Sequence, residues 1–221
     1  MGKIVSLIGV LFIWQSLAYA EVKIRVLDAD GSPVSNAVVS LPRSKESKTE
    51  SQSGNTDENR IAVMDQVAKQ FLPHVLIVES GQPVVFPNSD QVRHHVYSFS
   101  KPNDFEIRLY SGNQTEPLIF DYPGVVILGC NIHDQMLGFI YVHNNEIARV
   151  SDQNGYVVFD EVPSTAVQTQ NVTVWHSQLS SNKTERLSQV LNEKSKDEIW
   201  ILKLDLIPEI KKVSRKFKPR Y

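Results

Sequence analysis

The residues best suited to chemistry lie in one short segment, residues 129–136, with the sequence GCNIHDQM. Cys130 is the only cysteine in the 221-residue chain, and His133 and Met136 follow it at intervals of three residues. An internal disulfide is impossible without a second thiol. Four roles therefore stay open for Cys130: a buried apolar side chain, an intermolecular disulfide, a nucleophile or a metal ligand.

A thiolate, an imidazole and a thioether in one loop favour a soft or borderline metal ion. Calcium and magnesium are disfavoured because they take oxygen ligands. Zinc accepts a thiolate and an imidazole but rarely a thioether, and its sites usually add further cysteines or a carboxylate. A type 1 copper site fits better, since it combines two histidines and one cysteine with a weak axial methionine. Such a site needs a second histidine from outside the loop.

Two histidines that could complete the site lie in residues 87–99, PNSDQVRHHVYSF, at the start of a predicted strand. They are His94 and His95. Neighbouring residues of a strand point to opposite faces, so only one of the two can face a metal ion. The spacing alone does not decide between them.

These motifs resemble those of the cupredoxins, the small blue copper proteins, and especially a plastocyanin- and amicyanin-like group often labelled methylamine-utilisation proteins. The motif of that group begins with F-x-N, continues with a short polar loop, and ends with a ligand histidine followed by Asn. In this chain Phe86 and Asn88 match the F-x-N part of the motif. His94 stands at the position of the ligand histidine, and His95 replaces the usual Asn. The resemblance covers residues 61–142. It implies a Greek-key β-sandwich with one type 1 copper ion held by His94, Cys130, His133 and Met136, with His95 as the alternative ligand.

The resemblance also implies a function, which is single-electron transfer with an unidentified redox partner protein and no catalytic residues. We expect the Cys130 thiolate to accept backbone N–H bonds from both ligand loops, with Asn88 tying those loops together. His133 should be the partly exposed ligand, in an apolar patch that includes Pro87, Ile132 and Leu137. Copper storage or delivery without a redox role would use the same ligands and stays open.

The sequence gives less support to two further functions. A copper enzyme such as an oxidase or nitrite reductase needs further histidine-rich copper sites, and the chain has six histidines in all. We expect three of them, His74, His143 and His176, to be non-ligands. Asp134 lacks a paired acid and is a poor candidate for a base. A structural or adhesive sandwich with an accidental site is the last alternative.

The organisation along the chain predicts an all-β protein, because short segments rich in Val, Ile, Phe and Tyr alternate with turn residues. Residues 61–143 form the predicted cupredoxin domain, after a polar linker at 42–60. Residues 21–41 and 144–207 resemble the two parts of a small prealbumin-like sandwich, as in carboxypeptidase regulatory domains, into which 61–143 would be inserted. The alternative is two unrelated β-rich flanks. The polar stretch 180–198 favours partial helix.

The N-terminal segment 1–20, MGKIVSLIGVLFIWQSLAYA, is typical of a cleavable secretory signal. Its apolar run is too short for a membrane anchor, which needs about 20 residues. We therefore expect a periplasmic protein without stable membrane insertion. The net charge of −2 gives no indication of a nucleic-acid partner. The basic tail at 208–221 is either a solvated end or a docking segment for an acidic partner or anionic lipid.

Overall fold

A computed structural model describes residues 19–43, 61–112, 116–163 and 171–208, and in these ranges the chain forms strands and loops without a helix. The predicted all-β class is confirmed. No membrane-spanning helix occurs in these ranges. Most of the predicted signal (1–18), most of the predicted linker (44–60) and the basic tail from residue 209 onward lie outside the described residues.

The described residues form seventeen strands. Two precede the central region: β1 Tyr19–Asp28 and β2 Val38–Pro42. Ten lie within it: β3 Ala62–Val63, β4 Asp65–Val67, β5 Gln70–Leu72, β6 Val75–Glu79, β7 Pro83–Val85, β8 His94–Ser98, β9 Phe105–Tyr110, β10 Leu118–Ile119, β11 Gly124–Cys130 and β12 Leu137–His143. Five follow it: β13 Glu146–Val150, β14 Tyr156–Pro163, β15 Asn171–Trp175, β16 Arg186–Val190 and β17 Trp200–Leu204.

The strands on the two sides of the central region pair with each other. One sheet has the order β14-β1-β17, and a second has the order β13-β2-β15-β16. The alternating Val22, Ile24 and Val26 of β1 face a core that also includes Phe159 and Val174 from the later strands. Both flanks therefore contribute to the same sheets and the same core. The predicted domain boundaries and the prealbumin-like character of this unit stay predictions.

The turn before β14 packs closely on β1 and so connects the two flanks. Gly155 has a φ of +78°, and a Cβ at this position would lie 2.4 Å from the carbonyl oxygen of Val26. The Val26 N–H donates to the Gly155 carbonyl at 2.7 Å. Glycine is required because the backbone of β1 occupies the space of a side chain.

The expectation of partial helix in residues 180–198 is wrong, since β16 lies in this stretch. β16 runs antiparallel to β15, with Leu187 opposite Val174 and Arg186 opposite Trp175. Leu187 packs against the flanking core. The polar composition allowed a helix, but pairing with the neighbouring strand determined the backbone.

The central region consists of a five-stranded sheet of order β6-β12-β11-β8-β9, a three-stranded sheet of order β10-β7-β3, and the hairpin β4-β5. Its core contains Met64, Phe86, Val96, Leu128 and Ile140. Residues 61–71 contain β3, β4 and the start of β5. The β4-β5 hairpin turns at Ala68 and Lys69, which both have positive φ.

A separate cluster joins the five-stranded sheet to the flanking sheet that contains β2 and β15. It includes Val38, Phe139, Tyr141 and Trp175. The rings of Phe139 and Trp175 meet edge to face with centroids 5.1 Å apart. β12 is therefore buried on both faces, which accounts for its nearly continuous apolar sequence. This packing anchors the strand that immediately follows the Cys130 loop.

Candidate metal centre

Two neighbouring strands of the five-stranded sheet position the candidate ligands. β8 has a strictly alternating burial pattern, so His94 and Val96 point inward while His95 and Tyr97 point to the other face. β11 ends at Cys130, which pairs directly with Val96 of β8. The inward side chain of His94 therefore lies on the same face as the Cys130 thiol. The loop 131–136 then returns the chain to β12.

The side chains of His94, Cys130 and His133 converge at the end of the sandwich. Cys130 Sγ lies 3.7 Å from His94 Nδ1 and 3.6 Å from His133 Nδ1. The potential donor atoms of the three residues all lie within 4.8 Å of one another. The two imidazole rings are inclined at 58° with centroids 4.9 Å apart.

These distances fit a shared metal ion. Sulfur at about 2.3 Å and nitrogen at about 2.0–2.1 Å from one ion, at trigonal to tetrahedral angles, lie roughly 3.5–3.8 Å apart. Both observed Sγ–Nδ1 distances fall in this range. One thiolate and two imidazoles are the in-plane donors of a blue-copper site. The spacing therefore fits a shared metal ion, and the donor set fits a type 1 copper ion.

Met136 lies next to this group. Its side chain is 3% exposed and packs in the same hydrophobic cluster as Cys130. Its backbone N–H donates to the His133 carbonyl at 2.9 Å, which closes a turn in the ligand loop. The Met136 side chain is therefore buried in the same core as Cys130, and its role as the axial ligand stays a prediction.

His95 lies outside the group of candidate ligands. Its Nε2 is 3.0 Å from Glu106 Oε1, an ion-pair distance, but the N–H does not point at the oxygen well enough for a hydrogen bond. Its ring also lies 6.0 Å from that of Tyr97 on the outer face of the sheet. Between the two candidates that the sequence left open, the structure brings His94 to Cys130.

Asn88 organises the loop before His94 rather than the Cys130 loop. Its side-chain amide donates to the carbonyls of Val92 and Tyr110, at 2.9 and 3.0 Å, and its backbone N–H donates to Gly112. These bonds attach the His94 loop to β9 and the loop that follows it. In the described ranges the polar partners of Cys130 Sγ are the two imidazoles, and the backbone N–H donors expected from the sequence are not among them.

Asp90 is a residue that the sequence reasoning missed. His94 Nε2 lies 2.8 Å from Asp90 Oδ2, and the same carboxylate accepts the N–H groups of Ala68 and Lys69 at 2.7 and 2.8 Å. Burial acts to raise the Asp90 pKa, but the hydrogen bonds from Lys69, His94 and Ala68 outweigh it and the pKa is lowered. The sequence feature that could have indicated Asp90 is an acidic residue in the loop that precedes the candidate ligand His94.

His133 is the more accessible imidazole of the pair, being partly exposed while His94 is fully buried. Desolvation, followed by the neighbouring His94, lowers the His133 pKa. Lowering favours the neutral ring, which is the form that binds metals. Of the three residues expected in an apolar patch here, Ile132 and Leu137 are 49% and 37% exposed, and Pro87 is half-buried.

The residues that the sequence predicted to be non-ligands are not among the three donors. His74 packs edge-on against Phe139, and His143 is the last residue of β12. His176 is buried immediately after the end of β15. Asp134 is exposed on the ligand loop. In the described part of the chain the group of possible metal ligands is therefore His94, Cys130 and His133.

No family model and no curated protein matches the sequence. Solved structures similar to this chain include a copper-containing nitrite reductase, NirK, from Thermus scotoductus, at 26% identity over 37% of this chain and 22% of that chain, with a TM-score of 0.35. A reduced amicyanin variant is 20% identical over 38% of this chain and 84% of its own, with a TM-score of 0.35. A purple cupredoxin from Nitrosopumilus maritimus is 20% identical over 37% of this chain and 99% of its own, with a TM-score of 0.33.

The chain thus spans less than a quarter of the nitrite reductase and most of the two smaller proteins. TM-scores at this level do not assign a function. The donor geometry of His94, Cys130 and His133 is therefore the main indication of a function.

Proposed function

We propose that this protein binds one copper ion through His94, Cys130, His133 and Met136 and carries single electrons between redox partners in the periplasm. The observation that supports this most directly is the convergence of two imidazole Nδ1 atoms on the sulfur of the only cysteine. The secretory character of residues 1–20 supports the periplasmic location.

Bound copper would supply a one-electron couple at this position. Cys130 and Met136 provide sulfur, which suits the reduced ion, and the two histidines provide nitrogen, which suits both oxidation states. His94 and Cys130 are held on paired strands, so these ligands cannot move far between the two states. Burial of Cys130 and Met136 excludes water from the sulfur side. The partly exposed edge of His133 offers the shortest route from the site to a partner's surface.

The test is reconstitution of the apoprotein with Cu(II). We expect one copper ion per chain and an intense visible absorption from sulfur-to-copper charge transfer, which a reductant removes and an oxidant restores. Cys130→Ser should bind copper weakly and lose the colour, whereas Ser188→Ala, on β16 of the flanking unit, should keep it. A colourless Cu(II) complex of the wild type, combined with tight binding of Cu(I), would instead indicate copper storage or delivery.

A further inference from the structure

We propose that Asp90 is a positioning residue for the metal centre, and that it selects the nitrogen of His94 that faces the metal. The proposal rests on the copper-binding function proposed above. Asp90 touches the far side of the ring: Nε2 is 2.8 Å from Asp90 Oδ2, while Nδ1 is 3.7 Å from Cys130 Sγ. The His94 side chain is 0% exposed and that of Asp90 is 14% exposed.

The selection follows from the hydrogen-bonding capacity of a carboxylate. An ionised carboxylate can only accept hydrogen bonds, so the proton of a neutral His94 ring is placed on Nε2. The lone pair then lies on Nδ1, which is the atom directed at Cys130. A metal ligand whose other nitrogen donates to a carboxylate is fixed in both tautomer and ring orientation. The ring is thus prepared for a metal before one arrives.

Asp90 is itself held by a part of the chain that supplies no ligand. Ala68 and Lys69 form the turn between β4 and β5, with φ of +52° and +60°. This left-handed backbone directs both N–H groups at the Asp90 carboxylate, one on each oxygen. The Asp90 N–H in turn donates to Asn88 Oδ1 at 3.1 Å. The orientation of His94 is therefore coupled to the β4-β5 hairpin.

The chain offers a matched control for the general effect of loosening this hairpin. Asp65, at the start of β4, accepts bonds from the backbone N–H and the hydroxyl of Ser89, at 3.2 and 2.7 Å. It therefore attaches the same hairpin to the same loop without touching His94. A purely structural role for Asp90 predicts that Asp90→Ala and Asp65→Ala behave alike. A positioning role predicts that they differ at the metal and at the imidazole.

The first experiment uses the apoprotein labelled with ¹⁵N at histidine, at about pH 8, where an ordinary histidine with a pKa of about 6.5 is neutral. Long-range ¹H–¹⁵N correlation spectra should show His94 protonated at Nε2 in the wild type and in Asp65→Ala. Asp90→Ala should show a mixture of tautomers. Protonation of His94 at Nδ1 in the wild type, or an unchanged tautomer in Asp90→Ala, would overturn the proposal. The wild-type spectrum alone tests which nitrogen of His94 is protonated, even if Asp90→Ala does not fold.

The second experiment measures Cu(II) affinity by chelator competition, together with the visible and electron paramagnetic resonance spectra. Asp90→Ala should weaken copper binding by about 10- to 100-fold and shift the spectra, with partial recovery in Asp90→Asn. Asp65→Ala should lower thermal stability and leave the spectra and affinity close to those of the wild type. Wild-type spectra and affinity in Asp90→Ala would refute the role of Asp90, whereas failure of the wild type to bind copper would refute the proposed function.

Discussion

The ring of Tyr97 packs directly on Gly129, the residue before Cys130, and a Cβ at position 129 would lie 2.8 Å from the Cζ and Oη atoms of that ring. The two residues face each other across the β11-β8 pair. Glycine at this position therefore allows a close approach of an aromatic ring to the strand that ends in Cys130.

Gly129→Ala tests this contact. We expect the added methyl group to displace Tyr97 or the end of β11, and to cost about 1–3 kcal/mol of unfolding free energy. The copper spectrum should shift as well, because Cys130 is the next residue. Chemical denaturation of the apoprotein and a visible spectrum of the copper form measure the two effects. Combining the change with Tyr97→Ala should restore the spectrum, and failure to do so would show that the strain lies elsewhere.

The choice between the two adjacent histidines gives a second prediction. His94→Ala should abolish the coloured copper complex, because His94 Nδ1 faces the sulfur from a fully buried position. His95→Ala should leave copper stoichiometry and colour intact, since His95 faces Glu106 on the outer side of the sheet. Metal analysis and absorption spectra of the two variants are the measurement. Loss of colour in His95→Ala with retention in His94→Ala would reverse the assignment.

A third prediction concerns acid stability and His143, at the end of β12. Burial lowers its pKa below the ordinary value of 6.5; Glu79 and Glu146 oppose the shift, while Arg43 and Arg186 assist it. The unfolded chain therefore binds a proton more readily than the folded one. The stability due to the neutral ring is complete above pH 6.5 and is lost as the pH falls through the interval below it.

His143→Gln should accordingly flatten the decline in unfolding free energy as the pH falls from 6.5, measured by urea denaturation at a series of pH values. His74→Gln is the control, because His74 is exposed and immediately precedes β6 of the same sheet. An identical acid profile for the wild type and His143→Gln would show that other groups cause the decline.

The junction between the two parts of the molecule gives a fourth prediction. Trp175 is fully buried there, contacts the rings of Phe139 and Tyr141, and donates from Nε1 to the Lys183 carbonyl at 2.9 Å. Trp175→Ala should cost about 3–5 kcal/mol of unfolding free energy because it leaves a large cavity. Trp175→Phe should cost less.

Copper binding distinguishes a local effect at this junction from a general one. The Trp175 variants should retain the visible spectrum under conditions where they remain folded, because the ligands lie on the opposite side of β12 from this cluster. A changed spectrum in Trp175→Phe would show that the flanking unit shapes the metal centre.

Several features of the protein could be predicted from the sequence because they depend on short segments. Short apolar segments separated by turn residues indicated an all-β chain, because the side-chain pattern of a strand depends only on neighbouring residues. The intervals between Cys130, His133 and Met136 placed three candidate ligands in one loop. The period of two in a strand showed that only one of His94 and His95 could face them.

The rest was decided by contacts between segments far apart in the sequence. Residue 94 rather than 95 faces the site because Val96 pairs with Cys130, which sets the register between β8 and β11. Residues 186–190 are a strand because β15 offers a partner edge. Asp90 acquires its role because the Ala68–Lys69 turn folds onto it. The sequence by itself determined which side chains were available, and the tertiary structure decided which of their atoms meet, because register and hydrogen-bond partners exist only once distant strands have paired.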